Sequence, residues 1–171
     1  MSSYQKHLVV HFERFGPYHL ARLNDLRSSL SEMGWTVSGI QVASLDQTYQ
    51  WEASCNLDDF GIVTAFPGGT TGSLSNSQIR ARIHEHLSRL SPTALAIAGW
   101  SSPDALACLS WSRKNKRPAV LMSDTRESDG VRVWFKELVK SRRIQSFAAA
   151  LVAGESHGRY LYKLGFDKPV E

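Results

Sequence analysis

The chain has 171 residues, of which 42% are hydrophobic and 21% charged, and its formal net charge is +4 at pH 7. This length suits one domain with a substantial core, and this composition excludes an intrinsically disordered chain. No stretch approaches the run of about 20 apolar residues that spans a membrane, and no apolar signal segment follows Met1, so we expect a cytoplasmic protein, either free or peripheral at the inner membrane face.

The N-terminal part of the chain predicts a strand, a helix and a second strand. Residues 7–12 form a short, β-branched apolar run, which is typical of a strand buried on both faces. A turn at 13–17 precedes a helix that begins at Pro17 and stops at Gly34. Apolar residues recur at helical spacing along its predicted buried face: Leu20, Leu23, Leu26, Leu30 and Met33. The β-rich segment 35–42 predicts a second strand, parallel to the first.

The rest of the chain continues this alternation. We predict an irregular connection at 43–59, a third strand at 61–66 and a glycine-containing loop at 67–73. Ser75 and Gln78 have the spacing of a capping box and start a helix, with His84 and His86 off its apolar stripe and therefore predicted to be solvated. Further strands are predicted at 93–98, 119–122 and 148–152, and further helices at 105–116, around 131–139, and at 156–164.

Six short strands separated by helices predict an α/β fold with a Rossmann-like, open, doubly wound and mostly parallel sheet. No internal repeat and no Pro/Gly linker divides the chain, so residues 1–171 are predicted to form a single domain. Ligands of such sheets bind at the carboxyl ends of the strands. The loops that matter for function are therefore expected at 13–18, 99–103, 123–130 and 154–159.

The usual cofactor and hydrolase motifs are missing from the sequence. The first strand-helix turn lacks the G-x-G-x-x-G glycines of dinucleotide sites, and there is no phosphate loop, no H-E-x-x-H or C-x-x-C metal pattern and no G-x-S-x-G elbow. Cys55 and Cys108 are far apart and are predicted to be free thiols. We therefore predict neither a metal nor an organic cofactor.

Polar and aromatic residues follow the predicted strands. Arg14 has the chemistry to hold a phosphate, Glu13 and Asp124 to accept hydrogen bonds from hydroxyl groups, and Trp100 to stack on a sugar ring. Each also has an ordinary alternative: a solvated charge for Arg14, a turn cap for Asp124, packing for Trp100. His157 follows the sixth strand and is either a substrate-binding or proton-transferring imidazole or a surface residue.

Basic residues form two clusters, which makes anionic partners plausible. The first cluster contains Arg113, Lys114, Lys116 and Arg117, and the second contains Arg126, Arg132, Lys136, Lys140, Arg142 and Arg143. Apolar residues interleave the second cluster at helical spacing: Val131, Trp134, Phe135, Leu138 and Val139. This pattern fits a helix with a core-facing apolar side and a solvated basic side, and it also fits a membrane-surface helix or, less well, a nucleic-acid binder.

Three segments together resemble a known family. His11 to Leu23, Ser123 to Glu137 with Trp134-Phe135 inside it, and Ala150 to Gly154 look like the N-terminal domain of GT-B glycosyltransferases of family 4. The resemblance covers nearly the whole chain and lies more in the order and spacing of motifs than in single residues. In that family the N-terminal domain binds the acceptor, and a second Rossmann-like domain holds the nucleotide-sugar through two spaced glutamates.

The resemblance implies roles for individual residues. Gly16 and Pro17 would face the donor phosphates when the two domains close. The implied acceptor-side residues are Glu13, Arg14, Tyr18, Trp100, Ser101, Asp124, Arg126 and His157. Many family members carry a histidine just after the fourth strand, where this chain has Gly99-Trp100-Ser101, so no catalytic residue is assigned.

The resemblance also implies a reaction and a set of partners. The expected activity is retaining hexosyl transfer to a sugar or lipid-linked acceptor, as in polysaccharide biosynthesis, with positioning and charge stabilisation as the protein's contribution. The sequence ends at Glu171, where the resemblance would begin its next strand, so we expect a fragment or separated subunit that is inactive without the donor-binding half. Self-association through an exposed interdomain face is a further expectation. The alternative is a standalone binding module on the same fold, partnering a separate subunit.

Overall fold

Strands and helices alternate along the chain in the computed structural model, which describes residues 5–45, 57–125 and 134–171. The strands are Lys6–His11 (β1), Trp35–Leu45 (β2), Ile62–Thr70 (β3), Ala94–Ala98 (β4), Ala119–Ser123 (β5) and Ala149–Val152 (β6). The α-helices are Pro17–Ser31 (α1), Asn76–Leu90 (α2), Pro103–Lys114 (α3), Trp134–Ile144 (α4) and Glu155–Lys163 (α5). Short 3-10 turns lie at Leu57–Phe60 and Thr71–Ser73.

The described strands form one parallel sheet in the order β3-β2-β1-β4-β5-β6. The chain first builds outward from β1 to β3 and then restarts on the other side at β4, where Val9 pairs with Leu95 and His11 with Ile97. The predicted Rossmann-like α/β fold is confirmed. Its topological switch point lies between β1 and β4, which places the crevice for ligands above the ends of these two strands.

The core lies on both faces of the sheet, which explains why the strands read as nearly continuous apolar runs. Successive residues of β1 point to opposite faces: Val10 packs with Leu20 and Leu23 of α1, while Val9 packs with the cluster that includes Ile83 of α2 and Cys108 of α3. Helix α1 therefore covers one face of the sheet at β1 and β2, and α2 and α3 pack side by side on the opposite face.

The helix-start features predicted from the sequence are present in the structure. Ser75 accepts a hydrogen bond from the backbone N–H of Gln78, and the Gln78 side chain reaches back to Ser75, completing the capping box of α2. Pro17 lies in the first turn of α1 and Pro103 in the first turn of α3, where Ser102 caps the helix.

Several predicted boundaries and burial patterns were wrong. β2 continues to Leu45 and β3 to Thr70, so strand replaces part of the predicted connection and of the predicted glycine-containing loop. Helix α1 ends at Ser31, and Met33 is 69% exposed rather than part of the buried face. His84 is half-buried against α3, where its Nε2 lies 2.7 Å from Ser110 Oγ, and His86 is also half-buried rather than solvated.

Helix α4 faces the core differently from the prediction. Leu138 and Val139 were placed on its core-facing side, but they are 47% and 45% exposed. Ile144 is fully buried instead, and Lys140, predicted on the solvated side, is half-buried four residues before it. The predicted residues Val131 and Arg132 and the side chains of Trp134, Phe135 and Lys136 lie outside what the structure describes. Among the described helices, none has the length and apolarity needed to cross a membrane.

Candidate functional site

The carboxyl edge of the sheet gathers the loops that follow β1, β4, β5 and β6. Because these strands are parallel and adjacent, Glu13 and Arg14 after β1, Trp100 and Ser101 after β4, and Asp124 after β5 all follow strand ends at this one edge. The structure thus brings five of the predicted acceptor residues to the same side of the molecule. Arg126 lies outside the described residues.

The loop after β1 is held to the neighbouring strands by a buried amide. The Phe15 backbone N–H donates to Gln41 Oε1 at 2.8 Å, and Gln41 Nε2 donates to Thr64 Oγ1 at 3.0 Å. The carbonyl of Glu13 accepts a further hydrogen bond from the Val42 N–H. Gln41 is fully buried, and no role was predicted for it from the sequence. These bonds fix the loop backbone while the Glu13 side chain stays exposed.

The start of α1 combines an open glycine with a half-buried histidine. Gly16 caps the helix, and its N–H donates to His19 Nδ1 at 3.2 Å, while the His19 ring stacks on Phe12 at a centroid distance of 4.1 Å. Burial lowers the pKa of His19, with the positive charge of Arg22 acting in the same direction and a backbone hydrogen bond to Arg14 opposing both. Tyr18 is 62% exposed and carries the Arg22 guanidinium over its ring at 4.3 Å.

Gly16 has space around it that this chain does not fill. Its φ of −96° is open to any residue, and a Cβ placed there would have His19 Nδ1 as its nearest neighbour, at 3.9 Å. Neither backbone strain nor internal crowding therefore requires a glycine at this position. The N-terminus of α1 is open to the approach of another group from outside the chain.

Trp100 is partly a core residue. It is half-buried, packs against the larger core cluster and has Lys140 Nζ 5.3 Å from its ring centroid. The same Lys140 amine donates to Tyr160 Oη at 3.1 Å, which ties α4 to α5 beneath the loop after β4. The predicted packing role of Trp100 is therefore present, and Ser101 beside it is exposed.

His157 is not a surface residue. It is 5% exposed, in the first turn of α5, with Nδ1 3.3 Å from the carbonyl oxygen of Gly154. The predicted surface alternative for this residue was wrong, because this helical turn folds back onto the end of β6. Asp124 is exposed, and the adjacent Ser123 hydroxyl accepts the Thr125 N–H, which shapes the turn after β5.

A buried pair at the switch point escaped the sequence analysis. His11 ends β1 and Asp104 lies in the first turn of α3; they are 0% and 4% exposed, and His11 Nε2 lies 3.0 Å from Asp104 Oδ2. Burial acts to raise the pKa of Asp104, but the contact with His11 and the hydrogen bond from Ser102 outweigh it, so this pKa is lowered. No local spacing connects two residues so far apart, and His11 had been assigned to a strand core.

Comparisons with known proteins support the fold of the chain. No family model matches the sequence, and no curated protein matches it. Among solved structures, a UDP-N-acetylglucosamine 2-epimerase from Rickettsia bellii is 14% identical, with a TM-score of 0.64, and covers 96% of this chain and 43% of its own. S. aureus MnaA in complex with UDP gives 13% identity, a TM-score of 0.63, and 96% and 42% coverage.

A third structure extends the same finding. The UDP-GlcNAc 2-epimerase from Neisseria meningitidis bound to UDP-GlcNAc is 13% identical, with a TM-score of 0.60, 96% coverage of this chain and 44% of its own. TM-scores of 0.60 to 0.64 show a shared Rossmann-like, GT-B-like fold, although the sequences are only 13 to 14% identical. The chain spans less than half of the length of the structures that it matches.

Proposed function

We propose that this chain is the acceptor-binding domain of a family 4 type glycosyltransferase, which transfers a hexose with retention from a nucleotide-sugar to a sugar or lipid-linked acceptor. The observation that carries the proposal is the set of polar loops at the carboxyl edge of an all-parallel sheet in the order β3-β2-β1-β4-β5-β6. This chain matches less than half of the length of several enzymes that act on sugar nucleotides. This partial match supports a two-domain arrangement.

The acceptor would lie over the switch point between β1 and β4. Glu13 and Asp124 are exposed carboxylates suited to accept hydrogen bonds from sugar hydroxyls. Ser101 offers a hydroxyl between them, because β4, which it follows, lies between β1 and β5 in the sheet. The accessible part of Trp100 supplies an apolar surface for a sugar ring, while Lys140 holds the indole from below. Such a mixture of one ring surface and several directed polar groups is typical of sugar sites.

Donor binding would belong to the second domain, with Gly16 and Pro17 facing the donor phosphates at closure. The open space around Gly16 supports this role, because a helix N-terminus free of a side chain lets phosphate oxygens approach the positive end of the helix dipole and the backbone N–H groups that follow Pro17, although the Gly16 N–H itself is bonded to His19. Arg14 lies in the preceding loop and would add a positive charge near the same anion. The chain's contribution is then orientation and electrostatic stabilisation, without a general base of its own.

The proposal is tested by supplying a donor-binding domain. The chain is mixed with, or fused to, the donor-binding domain of a family 4 glycosyltransferase and supplied with a panel of nucleotide-sugars and of sugar and lipid-linked acceptors. Transfer of a hexose with retained anomeric configuration, absent for either half alone, is the expected result. Conversion of UDP-GlcNAc to its 2-epimer without transfer would instead assign the chain to an epimerase.

A binding measurement separates the acceptor role from catalysis. Amide chemical shifts of the isotope-labelled chain are followed during titration with acceptor sugars. We expect shifts in the loops after β1, β4 and β5, with Trp100→Phe and Asp124→Asn weakening the effect and Asp25→Asn on α1 leaving it unchanged. Shifts confined to other surfaces would contradict the proposed acceptor site.

A further inference from the structure

Strands β1 and β4 part at the switch point, and the loops after them lead to opposite faces of the sheet. Their backbone pairing ends with His11 beside Ile97. Beyond this position the chain after β1 runs to α1 on one face, and the chain after β4 runs to α3 on the other. A crevice therefore opens between the two loops, and its width depends on what ties one loop to the other.

The loop after β1 is the anchored side of this crevice. The Phe15 N–H donates to Gln41 Oε1, and the Glu13 carbonyl accepts the Val42 N–H, so β2 holds the backbone of this loop. The loop after β1 therefore provides a fixed reference against which the loop after β4 is positioned.

A buried pair joins the loop after β4 to this anchored side. His11 Nε2 lies 3.0 Å from Asp104 Oδ2, and the two residues are 0% and 4% exposed. Ser102 hydrogen-bonds to the Asp104 carboxylate and caps α3. Since Ser102 directly follows Trp100 and Ser101, contacts run without interruption from the end of β1 to the candidate acceptor residues. We call His11 and Asp104 the switch-point pair.

Stability alone is a poor explanation for the switch-point pair. Both ring nitrogens of His11 and Oδ2 of Asp104 are buried without a hydrogen bond of ordinary geometry to a described residue. Buried polar atoms without such bonds destabilise a fold, and replacing both members of a buried polar pair by apolar side chains is often neutral or stabilising. A role in placing the neighbouring loops accounts for the pair better than a contribution to stability does.

We propose that His11 and Asp104 are positioning residues for the acceptor, which hold the loops after β1 and β4 at the spacing that a sugar ring requires. Neither side chain touches the acceptor, because both are buried. They act through Ser102 on Trp100 and Ser101. This role rests on the proposed function, since these loops are the ones proposed to bind the acceptor. The pair therefore affects the affinity for the acceptor and not the chemistry of transfer.

Two substitutions of His11 separate its reach from its polarity. His11→Asn keeps a polar amide but is too short to place a donor where Nε2 lies, whereas the amide nitrogen of His11→Gln can take the place of Nε2 opposite Asp104. The matched control is His84→Asn, because Nε2 of His84 also reaches α3, 2.7 Å from Ser110 Oγ, more than one turn beyond Asp104. Asp104→Asn keeps the shape of its side chain and takes the place of His11→Asn if that variant does not fold.

Amide hydrogen exchange tests whether the pair holds the loop after β4. The reporters are the hydrogen-bonded N–H groups of Gly99 and Leu106, on either side of that loop. The references are the N–H groups of Phe15 in the loop after β1 and of Asn115 at the end of α3. In His11→Asn the reporters should exchange roughly tenfold faster than in the wild type, with the references unchanged, because only the local opening of the loop becomes easier.

The other variants decide whether this effect comes from the pair. His11→Gln should return the exchange of Gly99 and Leu106 close to the wild-type rate, since its amide reaches Asp104. His84→Asn should leave both reporters unaffected, although it also removes a histidine contact with α3. Acceleration at the references as large as at the reporters would show a general loss of stability and would overturn the proposal, as would no acceleration at all.

Sugar titration of the isolated chain tests whether the spacing of the loops sets acceptor affinity. The probes are the methyl glycosides of glucose, galactose, mannose and N-acetylglucosamine, and binding is followed by amide chemical shifts. For each probe that the wild type binds, His11→Asn should weaken binding by roughly tenfold. Adding Asp104→Asn should weaken it no further, because the two residues act as one unit. Unchanged binding in His11→Asn, or additive losses in the double variant, would contradict the positioning role.

The two measurements separate the role of the pair from the proposed function. If no probe binds the wild type while exchange still responds to His11→Asn, the acceptor role of the chain is overturned, and with it the pair's role in acceptor binding. If probes bind but the exchange of Gly99 and Leu106 does not respond, the acceptor site stands and the positioning role is overturned. Probe binding that weakens together with faster exchange at these two residues supports both.

Discussion

The imidazole of His11 and the carboxylate of Asp104 meet at 3.0 Å under the switch point of the sheet, and both side chains are buried. His11 is the last residue of β1, and Asp104 is in the first turn of α3, so the contact joins the two elements from which the candidate site rises. The contact does not meet the geometry of a hydrogen bond, so the pair is defined by its short distance and by the negative charge of Asp104.

Replacing one member of this pair should destabilise the fold. Asp104→Asn removes the buried negative charge opposite His11, and we expect a loss of about 3 kcal/mol in the free energy of unfolding at pH 7, because the remaining polar group stays buried without its charged partner. Urea denaturation measures the change. Asp25→Asn on the exposed side of α1 is the matched control and should alter stability by less than about 0.5 kcal/mol.

The same pair predicts how stability depends on pH. The pKa of Asp104 is lower in the folded chain than in the unfolded chain, so its stabilising contribution is fully present above the unfolded value, about pH 4, and is lost as the pH falls through the folded value. The wild type should therefore destabilise on acidification below about pH 4 more steeply than Asp104→Asn. Parallel slopes for the two proteins would contradict the lowered pKa.

The close approach of Phe15 to Gly39 predicts that a larger side chain at position 39 would disturb the loop after β1. A Cβ on Gly39 would lie 2.8 Å from the Phe15 ring and 2.8 Å from Ile62 Cγ1, closer than non-bonded carbon atoms approach. Gly39→Ala should therefore destabilise the fold by about 1 to 3 kcal/mol, since Phe15 must move and carries the loop with it. Gly72→Ala, where a Cβ meets nothing within 4 Å, is the control for stability measured by urea denaturation.

Much of the fold was predictable because it depends on local signals. β1 reads as a strand because Val9 and Val10 are both apolar and the sheet is covered on both faces, and α2 reads as a helix because Ser75 and Gln78 cap it. That Glu13, Trp100 and Asp124 share one edge followed from the parallel direction of the predicted strands, without knowledge of their order. Such features need no knowledge of which distant residues meet.

The features that were predicted wrongly or missed depend on contacts between residues that are distant in the sequence. Lys140 turns inward because the Tyr160 hydroxyl and the Trp100 ring meet its amine, and that inward turn leaves Leu138 and Val139 exposed. His11 pairs with Asp104 across the core, and Gln41 in β2 holds the loop that precedes α1. Helical periodicity cannot reveal these contacts, because each depends on residues that only the tertiary fold brings together.

Cys108 should react slowly in the native chain. It is fully buried, and burial raises its pKa well above the ordinary value, with the negative charge of Asp104 acting in the same direction, so very little thiolate forms. In a Cys55→Ser background, alkylation by iodoacetamide at pH 8 should be far slower than for the urea-unfolded chain. The rate should rise as urea increases transient opening. Rapid alkylation of the folded chain, followed by mass spectrometry, would contradict the buried assignment.

A substitution at Gly16 should lower transfer activity with little effect on the stability of the fold. A Cβ at this position has 3.9 Å to its nearest neighbour and an ordinary φ, so Gly16→Ala should change the free energy of unfolding by less than about 1 kcal/mol. If donor phosphates approach this helix start when a second domain closes, the added methyl displaces them and lowers hexosyl transfer in the reconstituted enzyme by roughly tenfold or more. Acceptor binding by the isolated chain should be unchanged. Full transfer activity of Gly16→Ala would remove the donor-facing role while leaving the acceptor role of the neighbouring loops intact.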